Sequence, residues 1–592
     1  MDADQPPARP QRFTERELRF APQPAVRWFS PGVLTASGLH VGVVSVFGSF
    51  LDKRELQAAK PCDADVRYAG RDELWVDYVA DTGDGFEATA TVATRVAKRE
   101  LVVPGVDRPL PRGQVLVLGG DEVYPSASAD GYENRLEGPW RAALPWTERD
   151  HPTVFAIAGN HDWTDGLTGF LRLFGQNRWL GGWRSHQTRS YFAAQLPHHW
   201  WLWGIDIQSE TLIDEPQLEF FGRVARQAEP GDKLILATAV PSWTQIRHDP
   251  AAYRNLAYLE RTILQPRGLR LKLTVAGDTH HYSRYEHEGA EEEIGPAHKI
   301  TAGGGGAFLH PTHVLSDDAE IGVNPDDPAA VARYEMRSAY PSRARSRWLS
   351  WRALLLAPRN PSFMVVPALV ALAALWTVQF GLRSLERRGE SFAEAGAHWG
   401  WTDLAGGLFR TSLSAVTLLV LFGGLFAFAE APQWASSGGA RLTAKAVMAL
   451  IHLGLQVVAI ATVLLVALRA ASGQDDWRYA VVASVVAFCL GGPVGATVVG
   501  LYLALALATP GLGAHPNEAF AAARITGWKN FLRMHIDRDG VLTVYAIGID
   551  RSVKRRHWRA VPTADDPEAA WIAPAPARRE PPVRLIESIT LR

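Results

Sequence analysis

The amino-acid sequence predicts a two-part fold, an α/β domain over residues 70–315 followed by an all-α bundle of about four transmembrane helices over residues 361–510. Between residues 70 and 315, short β-rich runs end in Gly, Asp and Asn clusters and alternate with longer, partly helical stretches, which is typical of α/β domains. Beyond about residue 360 the chain becomes strongly apolar, and its charge returns only after about residue 515.

The α/β domain contains short apolar runs that we predict to be strands. They are Leu74–Ala80, Gln114–Leu118, Thr153–Ala158, Trp200–Ile207, Lys233–Thr238 and Leu271–Ala276. Their lengths and their enrichment in Val, Leu, Ile and Trp favour strands over helices.

The apolar interval contains three charge-free runs close to the ~20 residues that a helix needs to cross hydrocarbon. These runs are Phe363–Leu382, Thr411–Ala429 and Ala446–Leu468. A fourth run, Tyr479–Thr509, is too long for one straight span and is interrupted by Gly491-Gly492-Pro493, so we expect one kinked span with an interfacial extension. Buried helices of a soluble protein are the alternative for any single run, but four runs in series favour a membrane bundle.

Basic residues beside these runs predict the orientation of an integral, multi-pass membrane protein. Several arginines between Arg343 and Arg359 precede the first span, and Lys554-Arg555-Arg556 follows the last. Because basic residues favour the cytoplasmic side, the α/β domain and the C-terminus are both predicted to be cytoplasmic. The polar start of the chain lacks a cleavable secretory signal, which agrees. Arg383, Arg387 and Arg388, in a loop predicted to be external, oppose this orientation.

Composition excludes several classes of function. The chain has 61 Lys+Arg against 62 Asp+Glu and a formal net charge of -1, so no nucleic-acid partner is indicated. Cys62 and Cys489 are the only cysteines, and their separation argues against a disulfide framework or a cysteine metal site.

Three further segments complete the predicted domain plan. Residues 1–69 are an N-terminal extension in which Val33–Leu51 predicts an amphipathic, surface-lying or core helix rather than a fifth span. Residues 316–360 are predicted to be a linker and basic juxtamembrane segment, because Asp317–Ala339 is polar and irregular. In residues 511–592, alternating apolar residues around Asp539-Gly540 predict a β-hairpin that packs on the α/β domain.

Four predicted strands run directly into residues that bind metals or transfer protons. The strand ends read VADTGDG, VLGGDEVY, AIAGNHDW and VAGDTHHY. Side chains at such ends converge on one edge of an α/β sheet, where we expect a site. A single Gly-Asp after a strand is most often a turn, but four such ends in series favour a site. The candidate residues are Asp81, Asp84, Asp121, Asn160, His161, Asp162, Asp278, His280 and His281.

This series resembles the calcineurin-like metallophosphoesterase superfamily, whose pattern is DxH, GDxx, GNHD or GNHE, a lone His, and GHxH. Gly120-Asp121-Glu122-Val123 fits the second motif, and Gly159-Asn160-His161-Asp162 fits the third without change. The resemblance covers about residues 70–315. It implies a four-layer α-β-β-α sandwich with two divalent metal ions.

The resemblance also implies a role for each matching residue. Asp121 is expected to bridge the two metals, Asn160 to bind the second and His280 to bind the first. His161 is expected to contact the scissile phosphate as the catalytic and substrate-binding residue, with Asp162 orienting it.

Three positions depart from the family pattern. In Asp81-Thr82-Gly83 a glycine replaces the first histidine, so Asp84 is the expected substitute ligand beside Asp81. Asp278 replaces a histidine of the last motif, and its carboxylate can still bind a hard cation. The strand end Ala237–Trp243 lacks the lone histidine, and His248 is the nearest one downstream, so the second metal is expected to be weakly held. This shift from nitrogen to oxygen ligands favours Mn, Mg or Fe over Zn.

Other residues allow two interpretations. Gly303–Gly306 either cradles a phosphate or forms a turn that closes the site. His281, with Tyr282 and Tyr285, either lines a substrate pocket or packs as a buried ring; packing is favoured, and His281 is kept as a substrate-binding candidate.

Three more histidines are less informative. His310 and His313 are favoured as loop residues over auxiliary ligands. His452 lies in an apolar span and is favoured as a hydrogen-bonding helix contact over a proton relay.

Together these patterns predict a membrane-anchored, metal-dependent phosphoesterase that hydrolyses a phosphomonoester or phosphodiester by in-line attack of a metal-bridging hydroxide. Its place beside the bilayer makes a lipid-linked phosphoester and membrane lipid the expected partners, while no oligomeric state follows from the sequence. The alternative is a sensor or scaffold that binds metal or ligand without turnover, because family histidines are missing. A transporter is disfavoured because the spans carry almost no charged residues.

Overall fold

The structure, a computed structural model, describes residues 19–36, 57, 59–148, 150–207, 213–247, 249–289, 297–322, 331–383, 391–410, 412–432, 434–435, 437–561, 566, 568–575 and 580–592. The chain forms two compact units. The α/β unit comprises Met1–Val26, His40–Arg343 and Ile525–Arg592, and the helical unit comprises Arg27–Leu39 and Ala344–Arg524. Of the predicted helix Val33–Leu51, only the start lies in the described part, where residues 31–36 are helical; the rest lies outside it.

The first sheet of the α/β unit has eight strands in the order β20-β17-β16-β1-β4-β5-β7-β6. Strands β1, β4 and β5 are parallel neighbours. Every residue of β1 and β4 is buried, which matches their sequences, apolar throughout except for Asp77, since strands covered on both faces do not alternate. The strand bounds are β1 Leu74–Val79, β2 Glu100–Leu101 and β3 Leu110–Pro111 (a separate pair), β4 Val115–Leu118, β5 Thr153–Ala156, β6 Trp179–Leu180 and β7 Trp183–Ser185.

The second sheet also has eight strands, in the order β14-β15-β12-β13-β11-β10-β9-β8. Strands β9, β10, β11 and β13 are parallel, and the others are antiparallel to their neighbours. Their bounds are β8 Phe192–Leu196, β9 Trp200–Gly204, β10 Lys233–Thr238, β11 Arg270–Ala276, β12 Tyr282–His287, β13 His298–Ala302, β14 Asp318–Gly322 and β15 Val331–Tyr340.

The prediction of a linker over Asp317–Ala339 is wrong, because β14 and β15 form there. Both lie at one edge of the second sheet, where one face of each strand stays in contact with water. β14 alternates exposed and buried residues, with only Ala319 and Ile321 buried. A short edge strand of this kind is rich in polar residues and resembles a loop in composition.

The C-terminal segment completes the first sheet. Its strands are β16 Lys529–Ile536, β17 Leu542–Ile549, the separate pair β18 Trp558–Ala560 and β19 Ile572–Pro574, and β20 Val583–Leu591. β16 pairs antiparallel with β1, and β17 pairs with β16 across the turn at Asp539-Gly540. A buried ion pair lies at this junction, because Arg533 Nε and Nη2 donate to Asp77 Oδ1 at 2.7 Å and Oδ2 at 2.9 Å.

Three of the apolar cores of the α/β unit connect its sheets and helices. One contains residues of both sheets, such as Val117 of β4 and Ile235 of β10. A second joins the first sheet to helix α1, Phe86–Val96, and a third joins the second sheet to helix α4, Glu215–Ala225. The other helices of this unit are α2 Gly138–Ala143, α3 Thr168–Leu173 and α5 Arg254–Leu259.

The helical unit contains three helices, within the described residues, that are long and apolar enough to cross a membrane: Pro361–Leu382, Gly438–Ala471 and Asp476–Ala508. A shorter apolar helix covers Ser412–Phe428. The helix bounds are α6 Arg343–Ser350, α7 Val365–Arg383, α8 Phe392–His398, α9 Trp401–Arg410, α10 Ser412–Phe428, α11 Gly438–Ala471, α12 Asp476–Ala508 and α13 Pro516–Ala523. Large apolar side chains such as Leu369, Val420 and Leu450 are exposed on these helices, which suits hydrocarbon and supports membrane association.

The fourth apolar run forms one continuous helix, α12, through Pro493. Its glycines let neighbouring chain approach closely. A side chain at Gly492 would meet the backbone of Met364 at 2.8 Å, and one at Gly495 would meet the Pro367 ring at 2.5 Å. Close contact of small residues is the usual means by which membrane helices pack.

Candidate metal centre

The predicted site residues follow the carboxyl ends of strands in both sheets. Asp81 follows β1 and Asp121 follows β4 in the first sheet, whereas Asp278 and His280 follow β11 in the second. The two strand ends meet, because the Asp278 backbone N–H donates to Asp81 Oδ1 at 3.0 Å. The structure therefore brings together residues that are almost 200 positions apart in sequence.

The backbone turns sharply at each of these carboxylates. Asp81, Asp121 and Asp278 have φ values of 59°, 55° and 62°, in the left-handed region. A residue other than glycine costs about 1–3 kcal/mol in such sparsely populated conformations, and they cluster at functional sites. Three motif aspartates in this conformation indicate that their positions are held by the surrounding structure.

The hydroxyl of Tyr124 is the point on which this site converges. It lies 3.0 Å from Asp81 Oδ1, 3.0 Å from Asp121 Oδ2 and 3.0 Å from His280 Nε2. A phenol carries one proton and can donate to only one of these atoms. Two carboxylate oxygens and an imidazole nitrogen thus surround one oxygen atom, and all four are atom types that bind divalent or trivalent metals.

Asp81 contributes a buried carboxyl group whose ionised form is disfavoured by its surroundings. Its side chain is fully buried, and Oδ2 has no hydrogen-bond partner in the described part of the chain. Burial and the charges of Asp121 and Asp278 raise the pKa of Asp81 well above its usual range. Because buried carboxylates repel one another unless a cation or a proton lies between them, the donor set fits a metal cation.

His280 is oriented as a metal ligand. Its Nδ1–H donates to the Phe308 carbonyl at 2.7 Å, so Nε2 faces Tyr124 and lies 3.7 Å from Asp81 Oδ1. Burial, with His310 and Lys529 nearby, lowers the pKa of His280 well below its usual value, which keeps the ring neutral. A histidine that donates one N–H to a carbonyl and presents its other nitrogen is the usual arrangement at metal sites. The ring of His310 packs on that of His280 at 4.1 Å between centroids.

His161 lies beside the cluster on the loop after β5. Its backbone N–H donates to Asp121 Oδ1 at 3.0 Å, and its ring centroid lies 4.4 Å from that of Tyr124. Nδ1 contacts the Pro125 carbonyl at 2.7 Å, so that Nδ1 carries a proton and Nε2 is the atom available for proton transfer in the neutral ring.

Asp162 was expected to orient His161, but its hydrogen bonds are made to other residues. Asp162 Oδ1 accepts from the Tyr132 hydroxyl at 2.7 Å, and Oδ2 accepts from the backbone N–H groups of Gly159 at 3.0 Å and Glu122 at 3.2 Å. Burial raises the pKa of Asp162 to about 6, and the charge of Asp121 acts in the same direction. Asp162 thus joins the two motif loops, and the ring of His161 contacts the Pro125 carbonyl instead.

Three other predicted site residues, Asp84, Asn160 and His281, have different surroundings. Asp84 Oδ1 accepts from the Val26 backbone N–H at 2.7 Å, which ties the N-terminal segment to the loop. Asn160 is exposed on the loop after β5. His281 is 1% exposed, and neither ring nitrogen has a hydrogen-bond partner among the described residues, so it packs as a buried ring.

Ala239 lies at the end of β10, where the resemblance leads us to expect a histidine. It follows β10, its carbonyl accepts from the Gly277 N–H at 3.2 Å, and its methyl group lies close to Gly120. Methyl cannot bind a metal. His248 lies outside the described residues.

The glycines Gly303–Gly306 support the site by packing. A side chain at Gly303 would collide with Asp81 Oδ2, and one at Gly306 would collide with the Thr82 carbonyl. The Gly305 N–H donates to the Ala80 carbonyl at 2.9 Å. These glycines hold the turn after β1 in place, so the packing interpretation is favoured over the phosphate cradle.

Sequence reasoning missed two residues. Tyr124 stands three positions after Asp121, and its place in VLGGDEVY was the available signal. Lys529 comes from β16; it is fully buried, its Nζ contacts the Ala307 carbonyl, and burial lowers its pKa to about 8, against the opposing effect of Asp84 and Asp81. Nothing local marks Lys529, because its proximity to the site depends on the pairing of β16 with β1.

Among the residues that the structure describes, two further groups of His, Asp and Glu could hold a metal ion. One is His199, Glu229 and Asp232, and the other is Glu430, His515 and Glu518. His199 and Asp232 precede β9 and β10, at the ends of these strands opposite to the site. Both carboxylate oxygens of Asp232 already have partners, at 3.0 Å to His199 Nδ1 and 2.8 Å to Trp201 Nε1.

Comparison with known proteins finds only a weak structural similarity. No family model matches the chain, and no curated protein matches it. Among solved structures, the chain is similar to one described as "Structure of PhoD", at 11% sequence identity and a TM-score of 0.27, covering 47% of this chain and 70% of that chain. At that TM-score the likeness carries no argument about the site, and the candidate metal centre rests on its own residues.

Proposed function

We propose that this protein is a membrane-anchored, metal-dependent phosphoesterase. The observation that carries the proposal is the convergence of Asp81 Oδ1, Asp121 Oδ2 and His280 Nε2 on the Tyr124 hydroxyl, each at 3.0 Å. When bound there, divalent metal ions lower the pKa of water and offset the charge on phosphoryl oxygens. The three cores that join the sheets to each other and to α1 and α4 support a four-layer α-β-β-α arrangement.

The residues of the chain have separate tasks in this proposal. Asp81, Asp121, His280 and Tyr124 hold the first metal, and Asp121, Asn160 and Asp278 are the candidates for the second. His161, positioned by Pro125, binds a phosphoryl oxygen or protonates the leaving oxygen at Nε2. Oxygen donors predominate, which favours Mn, Mg or Fe over Zn.

The membrane part of the proposal is a bundle of four spans with the α/β unit and the C-terminus in the cytoplasm. Three apolar helices of sufficient length support it, and α10, at 17 residues, is at the lower limit of a span. This location makes a lipid-linked phosphoester the expected substrate class. Reporter fusions after residues 355 and 592 should both report cytoplasm; opposite sides would contradict an even number of spans.

A scaffold that binds one metal without turnover is the second candidate function. Ala239, in the place of a metal-binding histidine, favours it, because the second metal position has one ligand fewer. The two candidates differ in turnover and not in metal binding.

Hydrolysis of bis-p-nitrophenyl phosphate and p-nitrophenyl phosphate by the purified full-length protein separates the two functions. The full chain is needed because residues 1–355 lack β16, β17 and β20 of the first sheet. The enzyme proposal predicts turnover that is lost on chelation and restored by Mn or Mg. Metal binding without hydrolysis of either ester would favour the scaffold, and the absence of metal binding would contradict both.

A further inference from the structure

The helical unit contains a partly open cavity of about 250 Å³. Its walls come from α7, α10, α11, α12 and the segment that carries Phe29 and Leu34. Almost all lining side chains are apolar, among them Val370, Leu425 and Val494. The two exceptions are His452 and Gln456, which lie one turn apart on α11.

His452, in the wall of this cavity, has a ring nitrogen whose hydrogen-bonding capacity is unused among the described residues. It is 1% exposed, and its Nδ1 has no hydrogen-bond partner among the described residues. Its Nε2 lies 3.4 Å from the Gln456 side-chain nitrogen, which also donates to the Gly495 carbonyl at 3.3 Å. Because an amide nitrogen only donates, Nε2 of His452 accepts, and the ring proton belongs to Nδ1.

A buried donor without an acceptor is destabilising, so a ligand that supplies an acceptor gains affinity there. The ring cannot turn freely towards another partner, since Tyr502 stacks on it at 4.1 Å between centroids and 11° between planes. Water is a poor occupant, because a stable buried water needs two to four polar partners and these walls provide few.

We propose that this cavity binds a hydrocarbon chain of a membrane lipid, whose ester carbonyl accepts a hydrogen bond from His452 Nδ1–H. Apolar walls with one or two fixed polar groups are typical of sites for apolar ligands. Long apolar helices bound the cavity, and lipid is the apolar molecule that surrounds such helices in a bilayer. The site is additional to the phosphoesterase proposal and does not depend on hydrolysis.

Photolabelling tests the hydrogen bond. Full-length protein in phosphatidylcholine nanodiscs receives a trace of phosphatidylcholine with a diazirine on one chain, in either a diester or a dialkyl-ether form, and labelled peptides are mapped by mass spectrometry. The diester probe should label cavity-lining peptides of α11 and α12 about 2–10-fold more than the ether probe, as expected for one hydrogen bond. His452→Phe keeps the ring against Tyr502 and should abolish this preference.

Filling the cavity tests the site itself. Ala459→Trp places a large side chain in the cavity and should reduce labelling of the cavity peptides to the level of exposed helix surface. Val458→Trp, its neighbour, is 59% exposed and does not line the cavity, so it should label as the wild type does. If Ala459→Trp is not recovered, Val370→Trp fills the cavity from α7. Unchanged cavity labelling in the filled variant, or equal labelling by both probes in the wild type, would overturn the proposal.

Discussion

The two sheets of the α/β unit differ in how the chain builds them. Strands β8 to β15 of the second sheet come from one continuous stretch, Phe192–Tyr340. The first sheet combines β1 and β4 to β7 with β16, β17 and β20, which follow the whole helical unit in sequence. The first sheet is therefore complete only when the C-terminal strands β16, β17 and β20 are present, whereas the second sheet comes from a single segment.

The sheets differ in the same way in what they bring to the site. The first sheet supplies Asp81, Asp121, Tyr124 and His161. Its strand β16 adds Lys529. The second supplies Asp278 and His280, and it has Ala239 at the end of β10. In the proposed metal centre, the first metal position would therefore have more donors than the second, which would share Asp121.

The largest effect is expected from Asp121→Asn. It removes the carboxylate that both metal positions share, so the repulsion between two cations is less offset and both should be lost. We expect turnover of bis-p-nitrophenyl phosphate to fall by several orders of magnitude, with metal content measured by mass spectrometry. Asp130→Asn, at an exposed aspartate, is the matched control. Two metals per chain with near-normal turnover in Asp121→Asn would mean that the bridging assignment is wrong.

His161→Ala should separate catalysis from metal binding. The side chain acts on the phosphate or the leaving group, and general acid–base catalysis typically contributes ~10²–10⁴-fold. The rate should fall on that scale while metal content stays at the wild-type value. Loss of metal together with activity would instead make His161 a structural support of Asp121, whose Oδ1 accepts its backbone N–H.

Arg533→Met tests how much the ion pair between β16 and β1 contributes to the stability of the first sheet. The variant leaves Asp77 buried and unpaired, which typically costs about 3–5 kcal/mol of the free energy of unfolding. Chemical denaturation of the full chain, followed by tryptophan fluorescence, measures the loss. The double variant Asp77→Asn, Arg533→Met removes both charges and should be less destabilised, and Arg538→Met, at an exposed arginine, should be close to wild type. A single variant as stable as the wild type would contradict the role of this ion pair.

A smaller effect on the free energy of unfolding is expected when the pH is lowered, through His298 in the second sheet. Burial, with the charge of Arg284, lowers the pKa of His298 to about 4 from 6.5. Between pH 6.5 and pH 4 the unfolded chain therefore binds more protons than the folded one, so stability falls as pH falls through this window. The contribution is about 2–3 kcal/mol, and His298→Gln should lack it. A His298→Gln variant with the wild-type profile of denaturation midpoint against pH would contradict this assignment.

The parts of the fold that could be predicted are those with an unambiguous local signal. The buried parallel strands are continuous apolar runs, and β10 has the predicted bounds, Lys233–Thr238. The turn at Asp539-Gly540 marks the hairpin of β16 and β17. By contrast, β14 is a polar edge strand and β15 is its polar neighbour, and nothing in their composition distinguishes them from a linker.

The site was predictable to the level of motif residues but not of their contacts. Asp81 and Asp84 are both acidic residues after β1, and only the fold shows that Asp81 faces Tyr124 whereas Asp84 holds the Val26 N–H. The proximity of Lys529 is equally invisible in the sequence, because it depends on strand pairing between residues more than 450 positions apart.

The most direct test of the metal centre is the metal content of Asp81→Asn and Asp84→Asn beside the wild type. The two substitutions make the same chemical change three residues apart, and only Asp81 contributes to the cluster around Tyr124. After gel filtration in detergent, we expect the wild type and Asp84→Asn to retain equal amounts of Mn, Mg or Fe per chain, and Asp81→Asn to retain little. A wild type without bound metal, or loss of metal in Asp84→Asn with retention in Asp81→Asn, would contradict the account.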